Sequence, residues 1–351
     1  MTLSDYEQRE WKRLQKRKAD SLHKKARNLL PSGARERLAA VSDKAKSVPG
    51  ADKVSAAYSA AAQGLGKATG STSTRTLSRA RVIRKYARAG HEVASLEDIH
   101  RIDLSAVDSV AKFHRIRYRH AMAAATEGLG SAAAVTGGET IAGFGGVFGI
   151  GAGAAPGLGT VAGALAVDVT AVLGLAARTV AATAQYYGYD PRQPEEEVFL
   201  MSVVALGMAT GTSAKTAAYA ELSQLTQLLA RRAPWTKLNE KVLTKIVQKF
   251  AAEFGQSLTK KKLGQFVPVA GMAVGAGLNY VVIDRVGSAA HDAYRERYLV
   301  EKAGGDLPGL DIVIEPSSGP DDDFIGVIEL LEDADALPPM PPSDEAGEQQ
   351  D

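Results

Sequence analysis

Apolar residues recur along this chain at helical rather than strand spacing. Ser4 to Leu30 sets Tyr6, Trp11, Leu14, Leu22, Leu29 and Leu30 on a broken apolar face, with Arg9, Lys12, Arg13, Lys16, Arg17 and Lys18 around it, and Pro31 with Gly33 ends the predicted helix. Ala-rich helical text over residues 34–70 is then interrupted by GSTSTRT, a linker or exposed loop. Ser78 to Ala89 reads as a short basic helix. Ser95 before a Glu-Asp pair and Ser105 before an apolar run predict two further helix starts. From Gly137 to Ala177 the chain is almost wholly Gly, Ala and aliphatic, and Gly145, Gly149 and Gly153 recur at steps of four. On a helix they form a smooth strip where another backbone can approach closely.

Beyond this stretch an Ala-rich helix ends at Gly188, and Asp190 to Pro194 turn the chain into a new helix whose first turn carries Glu195, Glu196 and Glu197. Val198 to Arg232 continues as a helix or helix pair around Gly207 and Gly211, and Pro234-Trp235 starts another amphipathic run. Pro268 opens a long helix in which Gly271 and Gly275 repeat the close-approach spacing. Further along it, Tyr280, Asp284, Ser288, His291, Arg295 and Tyr298 fall on one face. The pattern predicts an all-α, multi-helix globular domain with Gly/Ala-rich, closely packed central helices.

Composition refines that picture. With 45% hydrophobic but only 6% aromatic residues, the expected core is built mainly from Ala, Val, Leu and Gly. Cysteine is absent, which excludes disulfides and thiolate metal sites and fits a reducing compartment. No apolar segment with a small-residue cleavage site follows the charged N-terminus, so a cytoplasmic protein is expected, peripheral at the inner face of the membrane if it meets one.

The overall charge of +2 conceals opposed ends: residues 1–119 carry 26 Lys+Arg against 12 Asp+Glu, and residues 304–351 carry 14 acidic residues and no Lys or Arg. Three regions follow: a basic N-terminal helical region (1–74), a Gly/Ala-rich core (75–303) and an acidic, Pro-containing tail (304–351) expected to be disordered. Within the tail, Phe324 to Leu331 is a short apolar motif able to fold as a helix on a partner, either another protein or the chain's own basic end. The basic region points to an anionic partner, and Arg9, Lys12, Arg13, Lys16 and Arg17 are the candidate contacts to a membrane surface. No nucleic-acid motif accompanies the charge.

Thr140 to Ala177 is long enough to span a bilayer, since about 20 residues suffice. Ala and Gly supply little transfer energy, however, and Asp168 at mid-helix costs roughly 2.5–3.5 kcal/mol. A buried core, a membrane-contacting hairpin and a span all stay open.

The search for chemistry finds no catalytic, cofactor-binding or metal-ligating set. Gly128 to Ala133 and Gly157 to Ala162 loosely match a dinucleotide pattern without the strand or acidic residue it needs, and His114 and His120 are wrongly spaced for a zinc pair. The best polar constellation is Asp284, His291 and Arg295, with Asp168 as a buried partner; it reads as a structural ion pair and a satisfied histidine, or as a pocket.

The arrangement of YYGYDPRQPEEE after a Gly/Ala-rich segment, followed by LTKKKLGQFVPVAGMAVGAGLNYVVIDRVGSAAHDAYRERYL, resembles the EcsC protein family, and YEQREWKRL and VASLEDIHRIDLSAVD are similar to its N-terminal part. The resemblance covers residues 5–303. It implies an α-helical domain with undefined biochemistry, an association with membranes, and no catalytic residues to carry over. Two functional readings follow: a non-catalytic, membrane-associated accessory or structural protein, or a soluble helical binding module with a pocket near Asp284 and His291.

Overall fold

The computed structural model describes residues 3–23, 78–137, 158–263, 271–305, 307 and 324–341, without the side chains of 23, 127–137, 158–168, 259–263 and 271–276. Every regular element among them is helical: α1 (Asp5–His23), α2 (Arg79–Arg88), a 3-10 turn (Glu97–Arg101), α3 (Leu104–Ala111), α4 (Phe113–Gly137), α5 (Leu158–Tyr186), α6 (Pro194–Met208), α7 (Thr212–Ala230), α8 (Glu240–Leu263), α9 (Gly271–Ala303) and α10 (Val327–Asp333). The long helix α9 is the axis of the fold, with α4, α5 and α6 packed along it. Contacts of Phe113 with His291 and of Arg117 with Asp284 run α4 antiparallel to α9, and those of Phe113 with Tyr187 and His120 with Thr179 run it antiparallel to α5.

Local chemistry sets the breaks. Asp103, not Ser105, caps α3, its carboxylate accepting from the Ser105 amide at 2.9 Å. Lys112 then adopts φ +49° and separates α3 from α4. Gly188, at φ +96°, ends the α5 segment where a Cβ would lie 2.7 Å from the His100 ring. Pro194 opens α6 as expected, and the Val198–Arg232 text resolves into a helix pair, α6 and α7. Helix α8 begins at Glu240, five residues past Trp235.

The centre is more aromatic than composition implied, because Tyr86, Tyr187, Tyr294, Tyr298, Phe199 and Phe254 are fully buried there. Their polar ends are supplied with partners where they meet backbone: Tyr86 donates to the Tyr186 carbonyl at 2.6 Å, and Tyr298 to the carbonyls of Ile99 and Ile102. Close approach occurs at Gly207, where a Cβ would stand 2.6 Å from the Val286 backbone, and at Gly287 against Arg117. Gly145, Gly149 and Gly153 lie outside the described residues. Gly271 and Gly275 belong to the first turns of α9, with their surroundings undescribed. No helix among the described residues is long and apolar enough to cross a membrane.

The acidic tail departs from its expected disorder over residues 324–341. Ile325, Val327, Leu330, Leu331 and Ala336 are buried, and α10 rests on α6 and α8 with the Ile328 amide donating to Glu221 of α7 at 3.0 Å. Among the described residues the surface that covers it is the core. The reason is physical: the tail's apolar face matches apolar surface there, while Lys237 and Lys249 meet Asp335 and Asp333 at its rim at 2.9 and 3.0 Å.

Candidate functional site

The second half of α9 leaves an apolar helix as a row of charges, and α1 is the element that answers it. Glu7, Glu10, Trp11, Leu14 and Lys18 recur at steps of three and four, so they share the inward face of α1 and all are buried. Packed on α9, this face pairs Lys302 with Glu7 at 2.6 Å, Arg295 with Glu10 at 2.5 Å and Lys18 with Glu296 at 2.6 Å. Arg295 also bonds Asp108 of α3 and donates to Tyr187 Oη at 3.3 Å, while Tyr6 donates to Asp108 at 2.8 Å. Burial opposes its charge, but Tyr187, Asp108 and Glu10 hold the guanidinium above its usual range.

A second buried pair lies beside the first. Arg297 makes two parallel bonds to Glu196 at 2.8 and 2.6 Å, reaches Glu301 at 2.6 Å, and stacks 4.0 Å over the Tyr189 ring. Glu196, in the first turn of α6, is therefore a counter-ion of α9.

The predicted polar constellation is divided by this geometry. Asp284 sits at the surface with Arg117 at 2.8 Å, whereas His291 and Arg295 meet through Tyr187, whose hydroxyl lies 3.1 Å from His291 Nδ1. Phe113 stacks on Tyr187 and tilts against His291, both at 4.7 Å, so aromatic rings fill the space beside the imidazole. Burial first, then Arg295, Arg17 and Arg117, lowers the His291 pKa to about 3, and the ring is neutral at physiological pH. The side chain of Asp168 lies outside the description. A cavity of about 10 Å³ beside Lys18, Tyr219 and Glu296 holds about one water, far below the several hundred Å³ of a typical ligand pocket. Among the described residues no group of three His, Asp or Glu side chains is placed to hold a metal. What these charges do is fix α1, α3 and α6 on α9.

On the opposite face of α1, Arg9, Lys12, Arg13 and Lys16 are exposed at i, i+3, i+4 and i+7, one continuous stripe. Arg13 reaches Glu10 at 2.5 Å yet keeps 67% of its side chain in solvent. Arg17 is 45% exposed and pairs with Asp292 at 2.8 Å, so it stands at the seam between the two faces. Lys18, which the sequence grouped with the outer cations, points inward. Its position four residues after Leu14 and seven after Trp11 was the available signal.

An all-α domain with an ionically fastened N-terminal helix is thereby defined. The chain belongs to the EcsC protein family, whose model matches residues 4–299. It is similar to the uncharacterized protein YdbA of Bacillus subtilis (strain 168), 29% identical over 214 residues, which are 59% of this chain and 64% of that protein. Similarity to Protein EcsC of the same organism is 25% identity over 154 residues, 43% of this chain and 59% of the relative. The match thus spans about three-fifths of the length of each relative. No solved structure matches the chain.

Proposed function

We propose that this EcsC-family protein is a non-catalytic accessory or structural protein that docks on an anionic membrane surface through the outer face of α1. The observation that carries the reading is the two-sidedness of that helix. Its inner charges are occupied by α9, while Arg9, Lys12, Arg13 and Lys16 are held outward on a rigid frame. A fixed stripe loses less side-chain and backbone freedom on binding than a flexible basic tail. Each cation near an anionic leaflet contributes on the order of 1 kcal/mol, and salt screens the attraction over about 8 Å. Co-sedimentation of the full chain with phosphatidylcholine vesicles, with and without phosphatidylglycerol, tests this. Binding is expected only with the anionic lipid and is expected to weaken steeply with salt; equal binding to neutral vesicles at high salt contradicts the proposal.

A further inference from the structure

The sequence RIRYRHAM at the start of α4 alternates charges, and the helix sorts them onto two sides. Arg117 stays at the surface with Asp284 at 2.8 Å, while inward go His120, 2.9 Å from Thr179 Oγ1, and the fully buried Ala121 and Ala124. Outward go Arg115, Tyr118, Arg119 and Met122, again at i, i+3, i+4 and i+7. Tyr118 is 57% and Met122 43% exposed, among the few large apolar side chains that the described residues leave in solvent. A tyrosine and a methionine interleaved with two arginines thus face solvent.

We infer that this face of α4 is a second membrane contact, in which Tyr118 and Met122 enter the headgroup layer of an anionic bilayer while Arg115 and Arg119 bind lipid phosphates. This inference rests on the proposed membrane reading and adds to it an apolar, inserting component that the α1 stripe lacks. Tyr is an amphipathic ring suited to the interface, Met is a flexible apolar chain without a polar atom to desolvate, and guanidinium pairs with phosphate through two bonds. Further exposed arginines stand on α2. Arg81, Arg84 and Arg88 of α2 are exposed, and Tyr186 links the two helices, taking a bond from Lys85 on α2 and an edge contact at 6.2 Å from Phe113 on α4. A single-stranded nucleic acid needs a row of stacking rings along a basic groove, and this face offers one ring.

Because the chain has no cysteine, Met122→Cys gives a single labelling site for an environment-sensitive fluorophore, and Lys241→Cys, exposed on α8, gives a reference. With vesicles containing phosphatidylglycerol, the probe at 122 is expected to shift to the blue and become protected from an aqueous quencher while the probe at 241 does not. The pair Tyr118→Ser and Met122→Ser is expected to weaken vesicle affinity about tenfold or more, with unchanged thermal unfolding, since both positions are exposed. A chain that sediments with the vesicles while probe 122 stays in water overturns this inference and leaves the α1 reading standing. No sedimentation at all overturns both. A probe at 122 that responds to poly-glutamate but not to vesicles assigns the face to an acidic protein and overturns the lipid assignment.

Discussion

The two terminal helices, α1 and α10, dock on the same core by opposite means. Helix α1 buries charges: Glu7, Glu10 and Lys18 each meet an α9 partner away from water. Helix α10 buries Val327, Leu330 and Leu331 and keeps its ion pair outside, with Lys249 54% and Asp333 57% exposed. Buried pairs add little net stability over apolar contacts of similar volume, because desolvation cancels much of the attraction, but they penalise every misaligned register. The contrast indicates that α1 is held for orientation and α10 for coverage of an apolar surface.

The largest effect is expected from unbalancing the α1 interface. Arg295→Ala takes the buried cation from between Glu10 and Asp108, leaving them only Arg13 at the surface and the Tyr6 hydroxyl, and should cost about 3–5 kcal/mol in denaturant unfolding, the range for breaking one side of a buried pair. A cost below about 1 kcal/mol would place the network in water. At the α10 interface, Leu331→Ala should loosen the helix by roughly 2–4 kcal/mol, read as faster amide exchange confined to residues 324–341. Lys237→Ala, in contrast, should stay within about 0.5 kcal/mol.

A smaller effect concerns Glu221, which faces the start of α10. Burial raises its pKa to about 7, against the hydrogen bond from the Ile328 amide that favours the carboxylate. The unfolded chain ionises this group near 4.5 while the folded chain keeps it protonated until about 7, so its contribution is fully present below 4.5 and is lost as pH rises through 7. Glu221→Gln should flatten the fall in stability between pH 5 and 7. Buried His291 acts in the other direction: neutral in the fold down to about pH 3, it loses stability for the protein as pH drops below the ordinary value of 6.5.

Much of this was legible in the chain. Helical period, Pro194 at a helix start and Gly188 at an end fixed most elements, because these signals are local. The polar face of α9 was equally visible from the spacing of Asp284, His291 and Arg295. Its partners were not, since Glu10, Asp108 and Glu196 are carboxylates that spacing alone cannot distinguish from solvated ones, and they lie roughly 100 to 285 positions from Arg295 and Arg297. The cation stripe of α1 was readable except for Lys18, and α10 could be foreseen as a helix but not placed, because an apolar motif does not name the surface that covers it.

On the proposed reading the outer and inner faces of α1 have separate duties. The most direct test changes Arg9, Lys12 and Lys16 together to Gln, sparing Arg13 because it pairs with buried Glu10, and measures both thermal unfolding and sedimentation with vesicles containing phosphatidylglycerol. An unchanged unfolding midpoint with loss of most vesicle binding is the predicted result; full binding by the folded variant would contradict the account.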